Sequence, residues 1–204
     1  MVQVIQAKDI TLVQLTLRFS LQREDDEFFF EWQNDLPQLN DLEKQSLNQI
    51  KAEYLHLSQY QILEPVVKMV VLSPLLRLAG FYQPPFYIAS SEVEIVSEDE
   101  GTIIRGRIDI LVFQPQFWVV VVEAKRADYS LEVAIPQALA YMLTNPNSEK
   151  PAFGFVTNGR EFQFIKLTKQ GIPKYALSYT LSLNRGDDLY TVVKSLKRLA
   201  HIVI

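Results

Sequence analysis

The chain has 204 residues, of which 48% are hydrophobic and 22% are charged. This length and balance are typical of one globular domain with enough chain to bury a core. The sequence contains no cysteine and only two histidines, His56 and His201. These counts exclude disulfides, cysteine-ligated metals and cysteine nucleophiles, and they argue against a Ser-His-Asp triad or a multi-histidine zinc site. Any chemistry therefore has to come from carboxylates, lysine, arginine, tyrosine and hydroxyl groups.

The net charge of −4 is divided unevenly along the chain. Residues 1–60 carry 10 acidic and 5 basic side chains, and residues 61–100 carry 6 and 2. Residues 101–204 carry 8 acidic and 13 basic side chains, a net charge of +5. The basic second half is compatible with a polyanion partner, and equally with charge that only keeps this half soluble.

The apolar runs are short. The longest, Phe117 to Val122, has the length of a strand and is far below the roughly 18 residues of a membrane span. The N-terminus shows no basic region followed by an apolar one, so no signal peptide is predicted. We therefore expect a cytoplasmic protein with no membrane partner.

The first 63 residues are predicted to contain short strands and one long helix. Residues 2–19 are rich in apolar and β-branched side chains, which predicts one or two short strands. The acidic run 24–27 predicts a solvated turn. Apolar residues recur every three to four positions over 42–63, which predicts a helix.

Two further helices are predicted to complete a helical layer over residues 42–80. Pro65 suits the first turn of one of them. Ser73 before Pro74 is typical of an N-cap followed by the first helical residue, and Gly80 is typical of the end of that helix.

Beyond Pro85 the hydrophobic period changes to that of strands. Strands are predicted over 91–96, 103–113, 117–124, 152–157, 161–167 and 175–183. The unbroken apolar run 117–124 predicts a strand buried on both faces, and residues 114–116 predict a three-residue hairpin loop before it. Helices are predicted over 187–200 and over 130–143, where Pro136 implies either a late start or a kink.

This order of elements predicts an α/β domain in which helices flank a mixed β-sheet. Residues 60–204 are predicted to form the main domain. Residues 1–59 are predicted to form a mostly helical N-terminal extension, with short strands, that packs on its core.

Charged residues end the most apolar strand of the chain. Glu123 and Lys125 follow the run of valines, where ionised groups are costly unless they are paired or bind a metal. Because they are two residues apart on a strand, they project from the same face.

The predicted hairpin brings a second carboxylate to the same place. With Phe113 paired to Phe117 across the loop, Asp109 faces Val121, and Glu123 is its diagonal neighbour. Diagonal partners lie roughly 7–8 Å apart or less, within side-chain reach. A slip of one residue would turn Asp109 to the other face, so this prediction depends on the loop length.

Two carboxylates and an ammonium group at one sheet end suit a hard cation such as Mg²⁺ or Mn²⁺. Such a group of residues can carry out metal-assisted hydrolysis of a phosphodiester. The same pattern also suits a purely structural ion-pair cluster of Arg107, Glu123 and Lys125. The residues by themselves leave both interpretations open.

These residues resemble a known family. Asp109 and the triplet Glu123-Ala124-Lys125 resemble the D-x13-E-x-K form of the PD-(D/E)XK nuclease superfamily. Their flanks resemble one branch, the N-terminal nuclease domain of the motor subunit of type I restriction enzymes. In that branch the aspartate follows Gly-x-x, as it follows Gly106 here.

Two further motifs support the resemblance, which covers roughly residues 60–168. A Q-x-x-x-Y motif after the lysine is matched by Gln137 and Tyr141. A glutamate upstream of a Leu-x-x-Ala-Gly-aromatic run is matched by Glu64 and by the residues from Leu76 to Phe81.

The resemblance implies a restriction-endonuclease-like core and a nuclease that needs Mg²⁺ or Mn²⁺ and acts on DNA. It implies that Asp109 and Glu123 ligate the metal, that the Ala124 carbonyl adds a ligand, and that Lys125 positions or activates the attacking water. Glu64 would hold a second metal or a water, unless it is only an exposed carboxylate at a helix start.

The resemblance also places further residues near the site. Gln137 and Tyr141 lie four apart on one helix face, close to the active site or to DNA, unless the tyrosine simply packs on the sheet. Arg105, Arg126 and Arg160 are candidate phosphate contacts.

The sequence departs from the family in two ways. No Walker A motif is present, so the resemblance implies a stand-alone domain or one that works with a motor or methyltransferase partner chain. No proline precedes Asp109. Many relatives act as dimers, so a homodimer is compatible with the resemblance.

Two other interpretations belong to different functional classes. One is a catalytically inactive nuclease-fold module that binds nucleic acid or a partner protein. The other is a structural subunit whose acidic N-terminal part docks a partner. Retention of Asp109, Glu123 and Lys125 together favours the enzyme.

Overall fold

Nine strands form one mixed sheet in the computed structural model, which describes residues 3–97, 102–114 and 117–202. The strands are β1 (Gln3–Gln6), β2 (Gln22–Arg23), β3 (Tyr87–Ser97), β4 (Thr102–Gln114), β5 (Phe117–Ala124), β6 (Ala152–Thr157), β7 (Glu161–Thr168), β8 (Lys174–Leu177) and β9 (Leu181–Ser182). Hydrogen bonds join the strands along the path β1-β4-β5-β6-β7-β8-β2, with β3 also paired to β4 and β9 to β7. Strands β5 and β6 are parallel, whereas β4–β5 and β6–β7 are antiparallel.

Helices cover both faces of this sheet. They are α1 (Leu12–Phe19), α2 (Asp41–Leu57), α3 (Glu64–Val67), α4 (Ser73–Leu78), α5 (Ala134–Leu143) and α6 (Asp188–Ile202), with a π-helical turn (Lys68–Leu72) between α3 and α4 and short 3-10 helices at Ala7–Asp9, Asp26–Phe28 and Leu131–Val133. One face, which we call the α5 face, packs against α1 and α5; the other, the α6 face, packs against α2, α3, α4 and α6. Among the described helices, none combines the length and the apolar character needed to cross a bilayer.

Strand β5 lies between the two helical layers and packs against both. Val120 and Val122 belong to the cluster on the α6 face, and Val121 belongs to the cluster on the α5 face. The prediction of a strand buried on both faces is therefore confirmed. Because β5 and β6 are parallel, their carboxyl ends meet at the same edge of the sheet, and the Lys125 N–H donates to the Thr157 carbonyl there at 2.8 Å.

Residues before 60 contribute strands β1 and β2 to the sheet and helix α1 to its α5 face. Strand β1 pairs in parallel with β4, and β2 pairs in parallel with β8. The prediction of strands over 2–19 holds for β1 only, because residues 12–19 form a helix. A capping box fixes the start of this helix, α1. The Gln14 N–H donates to Thr11 Oγ1 at 3.2 Å, and the Thr11 N–H donates to Gln14 Oε1 at 2.9 Å.

The helical layer differs from its prediction at Ser73. The segment from Glu64 to Leu78 is helical throughout, and Ser73 has helical dihedral angles instead of capping a new helix. The π-helical turn makes this continuity possible, since the Ser73 N–H donates to the Lys68 carbonyl five residues back and Pro74 has no N–H that would need an acceptor. The Ser73 hydroxyl bonds instead to the Tyr82 hydroxyl at 2.8 Å. The predicted end at Gly80 is confirmed, with φ +89°.

Two predictions in the second half are refined. Helix α5 begins late, after a 3-10 turn, so Pro136 lies in its first turn and the alternative of a kink is wrong. The single strand predicted over 175–183 is two strands, β8 and β9, because the Phe164 N–H donates to the Ser178 hydroxyl, at 3.0 Å, and not to a backbone carbonyl, so the ladder is interrupted there.

Candidate active site

The candidate site lies at a gap along one edge of β4. Strand β3 pairs with β4 from Thr102 to Phe113 on one edge. On the opposite edge β1 pairs with residues 102–105 and β5 pairs with residues 110–114. Residues 106–109 lie between these two ladders, beside the carboxyl end of β5. Backbone and side chains from both faces can therefore meet at this point.

The predicted register of the hairpin is wrong. The observed register nevertheless brings Asp109 to the end of β5. Gln114 pairs with Phe117, and a bulge follows, so that Leu111 and not Asp109 faces Val121. The shorter connection and the bulge each change the register by one residue. Together they shift the register by two residues. The ladder between β4 and β5 ends at the pair formed by Ile110 and Val122. Pro115 and Gln116 lie outside the described residues.

A second bulge re-aims Asp109. Strand β3 pairs Ala89 with Leu111 and Ser91 with Ile108, so Asp109 and Ile110 together oppose the single residue Ser90. In consequence Ile108 packs on the α5 face while Ile110, two residues on, packs on the α6 face. A bulge that reverses the alternation of a strand commonly re-aims a side chain next to an active site.

Asp109 joins β4, β5 and the helical layer. Its Oδ2 accepts a hydrogen bond from the Ala124 N–H at 2.9 Å, which places the carboxylate beside the end of β5. Its Oδ1 lies 2.7 Å from Lys68 Nζ, and the same ammonium lies 2.6 Å from Glu64 Oε1. Glu64 is thus part of the site and not an isolated carboxylate at a helix start.

Glu123 and Lys125 form the second half of the site, on the α5 face. Lys125 Nζ donates to Glu123 Oε1 and to Gln137 Oε1, at 2.7 Å in both cases. The contact between Glu123 and Lys125 is the one that their spacing on the strand predicts. Only 3% of the Glu123 side chain and 14% of the Lys125 side chain are exposed.

Helix α5 supports this pair through a chain of hydrogen bonds. Gln137 Nε2 donates to the Tyr141 hydroxyl at 2.9 Å, and that hydroxyl donates to the Arg107 carbonyl at 3.0 Å. Burial raises the pKa of Tyr141 to about 12, so its hydroxyl remains protonated and able to donate. Gln137 and Tyr141 are both buried, so they act on the site through Lys125 and the backbone of β4.

The charge of Glu123 is strongly disfavoured where it lies. Burial is the largest cause, and the nearby Asp109 carboxylate adds to it, so the pKa of Glu123 is raised to about 8 although Lys125 opposes the shift. Its Oε2 atom is buried and has no hydrogen-bond partner among the described residues. A buried oxygen without a partner is costly, and this one can accept a proton or a cation.

Gly106 leaves the space in which Tyr141 of α5 packs against β4. A Cβ atom at this position would lie 2.6 Å from the Tyr141 hydroxyl and 2.6 Å from the Ala7 Cβ. Both neighbours are buried, so neither can move away cheaply. The glycine three residues before Asp109 is therefore required by packing.

Replacing Gly106 with alanine should lower the free energy of unfolding by about 2–3 kcal/mol, because forcing atoms into a filled core strains its neighbours. Urea unfolding measures this loss. An unchanged urea midpoint in Gly106→Ala would show that the close approach is not required.

The oxygen donors of the site are of the kind that binds a hard cation, but they are not arranged as a complete coordination shell. In the part of the chain that the structure describes, no three His, Cys, Asp or Glu side chains are grouped to hold a metal ion. The Lys68 ammonium lies between the Glu64 and Asp109 carboxylates. The carboxylate oxygens are nevertheless the donors that Mg²⁺ and Mn²⁺ prefer, and Glu123 Oε2 is unsatisfied.

The arginines predicted to contact phosphate lie in different surroundings. Arg126 follows β5 and pairs with Asp128 at 3.0 Å, and Arg160 follows β6 in the neighbouring turn. Asp128 and Arg160 line one cavity of about 340 Å³, together with Tyr54 of α2. Arg105 is exposed on β4, where it pairs with β1 and lies on the far side of Gly106 from Asp109. Arg107 bonds to Ser90 Oγ through its side chain, at 3.0 Å.

Lys68 is the residue of the site that the sequence analysis missed. Its position was available from spacing alone, because Lys68 lies four residues after Glu64 and such pairs share a helix face. What spacing could not supply is the contact with Asp109, which is 41 residues away along the chain.

Comparison with known proteins identifies the family of the chain. The model of the family described as the type I restriction enzyme R protein N terminus matches residues 24–171, which is 148 of the 204 residues. The match includes all the charged residues of the site, together with Gly106, Gln137 and Tyr141, whereas Ala7 lies outside it. A search of curated proteins found no match.

Proposed function

The chain belongs to the family of the type I restriction enzyme R protein N terminus, and on that basis we propose that it is a Mg²⁺- or Mn²⁺-dependent nuclease that hydrolyses phosphodiester bonds of DNA. Its mixed sheet between helices agrees with the restriction-endonuclease-like fold of this family. One observation carries the proposal: Asp109, Glu123 and Lys125 meet at the carboxyl end of β5.

Asp109 and Glu123 would hold the metal, together with the Ala124 carbonyl. Glu123 Oε2 offers a buried oxygen without a partner, and Asp109 Oδ1 already attracts a cation, the Lys68 ammonium. A divalent ion at this place supplies an activated water and neutralises charge on the phosphate when bound. The Ala124 N–H donates to Asp109, which fixes the backbone of the residue whose carbonyl would complete the ligand set.

Lys125 would act directly on the reacting groups. Glu123 and Gln137 fix its ammonium from two sides, so that the group is held in place before substrate binds. In that position it orients the attacking water or stabilises charge on a phosphate oxygen. Gln137 and Tyr141 are positioning residues, since their contacts run to Lys125 and to the backbone of β4.

DNA is the proposed substrate because the charge around the site suits a polyanion. Residues 101–204, which contain β4 to α6, carry a net charge of +5. Arg126 and Arg160 lie beyond the carboxyl ends of the neighbouring strands β5 and β6, where they could contact phosphates next to the site. A motor or methyltransferase chain and a second copy of this chain are the partners that we propose.

A second candidate function is supported by the ion pairs themselves. Lys68 neutralises Asp109 and Lys125 neutralises Glu123, as in a charged cluster that serves only stability. A nuclease fold of this kind would bind nucleic acid or a protein without cleaving. Such a module would need neither a metal nor a free oxygen on Glu123.

Cleavage of supercoiled and linear duplex DNA, in Mg²⁺ and in Mn²⁺, tests the proposal directly. The wild-type protein should cleave only with the metal, and Asp109→Asn should abolish cleavage. Millimolar Mn²⁺ should also raise the melting temperature of the wild-type protein, because a ligand at 100 times its dissociation constant adds about 2.7 kcal/mol to the free energy of unfolding. Asp109→Asn should lose most of that gain.

Asp41→Asn is the matched control, because Asp41 is a fully exposed carboxylate at the start of α2. It should cleave and respond to Mn²⁺ like the wild-type protein. Absence of both cleavage and metal stabilisation in the wild-type protein would refute the nuclease and favour the binding module.

A further inference from the structure

Lys68 occupies a position between two carboxylates where a cation would be expected. Its Nζ atom lies 2.6 Å from Glu64 Oε1 and 2.7 Å from Asp109 Oδ1. These distances are those of charge-assisted hydrogen bonds. Asp109 is the first of the proposed metal ligands, so the ammonium already holds the oxygen that a metal ion would take.

The local fold directs Lys68 to this position from both sides. Lys68 is the first residue of the π-helical turn, and its N–H donates back to the Glu64 carbonyl. The bulge at Asp109 turns the carboxylate towards it from the sheet. Two irregularities, one in the helix and one in the strand, therefore meet in a single ion pair. Although burial opposes it, the hydrogen bonds to Asp109 and Glu64 raise the pKa of Lys68.

The contact is also suited to being broken. The Lys68 side chain is 28% exposed, and its four-carbon stem is flexible. Glu64 lies on the same helix one turn away, so the ammonium keeps a partner when it leaves Asp109. Lys125 differs, because it is nearly buried and is held by Glu123 and Gln137.

We propose that Lys68 is a built-in counter-cation of Asp109, which a divalent metal ion must displace before it can bind. The proposal rests on the proposed metal-dependent function and assigns a regulatory role to a residue of that site. Without metal, Lys68 keeps Asp109 and Glu64 from repelling each other. During loading, Lys68 withdraws to Glu64 and leaves Asp109 Oδ1 to the ion. The affinity for metal is thus set below what the carboxylates alone would provide.

Titration calorimetry with Mn²⁺ on the full chain tests this displacement without any measurement of cleavage. Lys68→Met keeps much of the side-chain volume but removes the competing charge, and it should lower the dissociation constant about tenfold, the change that about 1.4 kcal/mol produces. Lys68→Gln provides a second neutral variant that still donates a hydrogen bond, in case the methionine variant folds poorly. Lys44→Met, which removes an exposed lysine paired with Asp41 on α2, is the control and should bind like the wild-type protein.

The outcomes separate this inference from the proposed function. Tighter binding by the neutral variants supports displacement, including the case in which only they bind. Equal or weaker binding by them, with binding by the wild-type protein, overturns the counter-cation role and leaves the metal site standing. Absence of binding in the wild-type protein and in both neutral variants overturns the inference and the metal-dependent function together.

Discussion

Lys125→Met is expected to lower DNA cleavage by at least about 100-fold while leaving Mn²⁺ binding in place. The metal ligands proposed here are carboxylates and a carbonyl, so the metal site does not need the ammonium. The group that orients or polarises the attacking water does need it, and a positioned group of this kind contributes roughly 10²–10⁴-fold to a rate. Cleavage and metal binding should be measured on the same preparation.

The same substitution should cost about 2 kcal/mol of unfolding free energy, because Glu123 Oε1 and Gln137 Oε1 each lose a donor. The larger cost of an isolated buried charge is avoided, since Glu123 takes up a proton. A loss of stability therefore accompanies the loss of cleavage, and a control has to separate the two effects.

Lys169→Met provides that control. Lys169 is a half-buried lysine whose ammonium bonds to the Leu143 and Asn145 carbonyls at the opposite edge of the sheet, so its removal should also destabilise the fold. It should nevertheless leave cleavage near the wild-type rate. If Lys125→Met cleaves as well as Lys169→Met, the ammonium has no place in the chemistry, and the structural ion pair is the better interpretation.

The sequence predicts the elements that carry the site better than it predicts their register. An unbroken apolar run defines β5, and the polar residues at its end identify Glu123 and Lys125, because both signals are local. The alignment of Asp109 with β5 depends on a loop length and on a bulge, and neither has a signature in residue types. The two changes of one residue in the hairpin add to two, and the bulge opposite Ser90 then reverses the alternation of β4 at Asp109, so the carboxylate reaches the end of β5 through irregularities that the sequence does not signal.

The remaining part of the site depends on features between distant segments. The bulge opposite Ser90 and the π-helical turn after Glu64 bring Lys68 to Asp109, and neither irregularity follows from hydrophobic period. Ser73 is a second example, because its local sequence predicts an N-cap whereas the structure places it inside a continuous helical segment. The capping box of Thr11 and Gln14 is different, because it is visible in the sequence and outweighs the β-branched composition of residues 2–19.

The reason for Gly106 also becomes visible only in three dimensions. The family motif identifies a glycine before the aspartate, whereas the structure shows Tyr141 and Ala7 packed against its Cα. Because Tyr141 also holds Gln137, which holds Lys125, the glycine and the Q-x-x-x-Y motif belong to one packed unit. That unit explains why two motifs 31 residues apart occur together.

The stability of the metal-free protein is expected to fall as the pH rises from about 4.5 to about 8, through Glu123. Its pKa is raised from the ordinary value of 4.5 to about 8, chiefly by burial and by the Asp109 charge. Between these two values the folded state binds a proton that the unfolded state has released. Stability therefore decreases with increasing pH, by up to about 1.4 kcal/mol for each pH unit of this window. Below the window both states are protonated, so the effect vanishes.

Glu123→Gln isolates this contribution, because the amide reproduces the neutral acid at every pH. The difference in unfolding free energy between the variant and the wild-type protein should be near zero at pH 4 and should grow in favour of the variant up to pH 8. Urea unfolding in chelator, at half-unit steps of pH, measures the difference while the other carboxylates titrate alike in both proteins. Because a metal ion must replace the proton on Glu123, Mn²⁺ should reverse the trend in the wild-type protein and leave the variant unaffected. A difference that stays constant from pH 4 to pH 8 would show that Glu123 titrates alike in the folded and the unfolded chain, and that its burial does not raise its pKa.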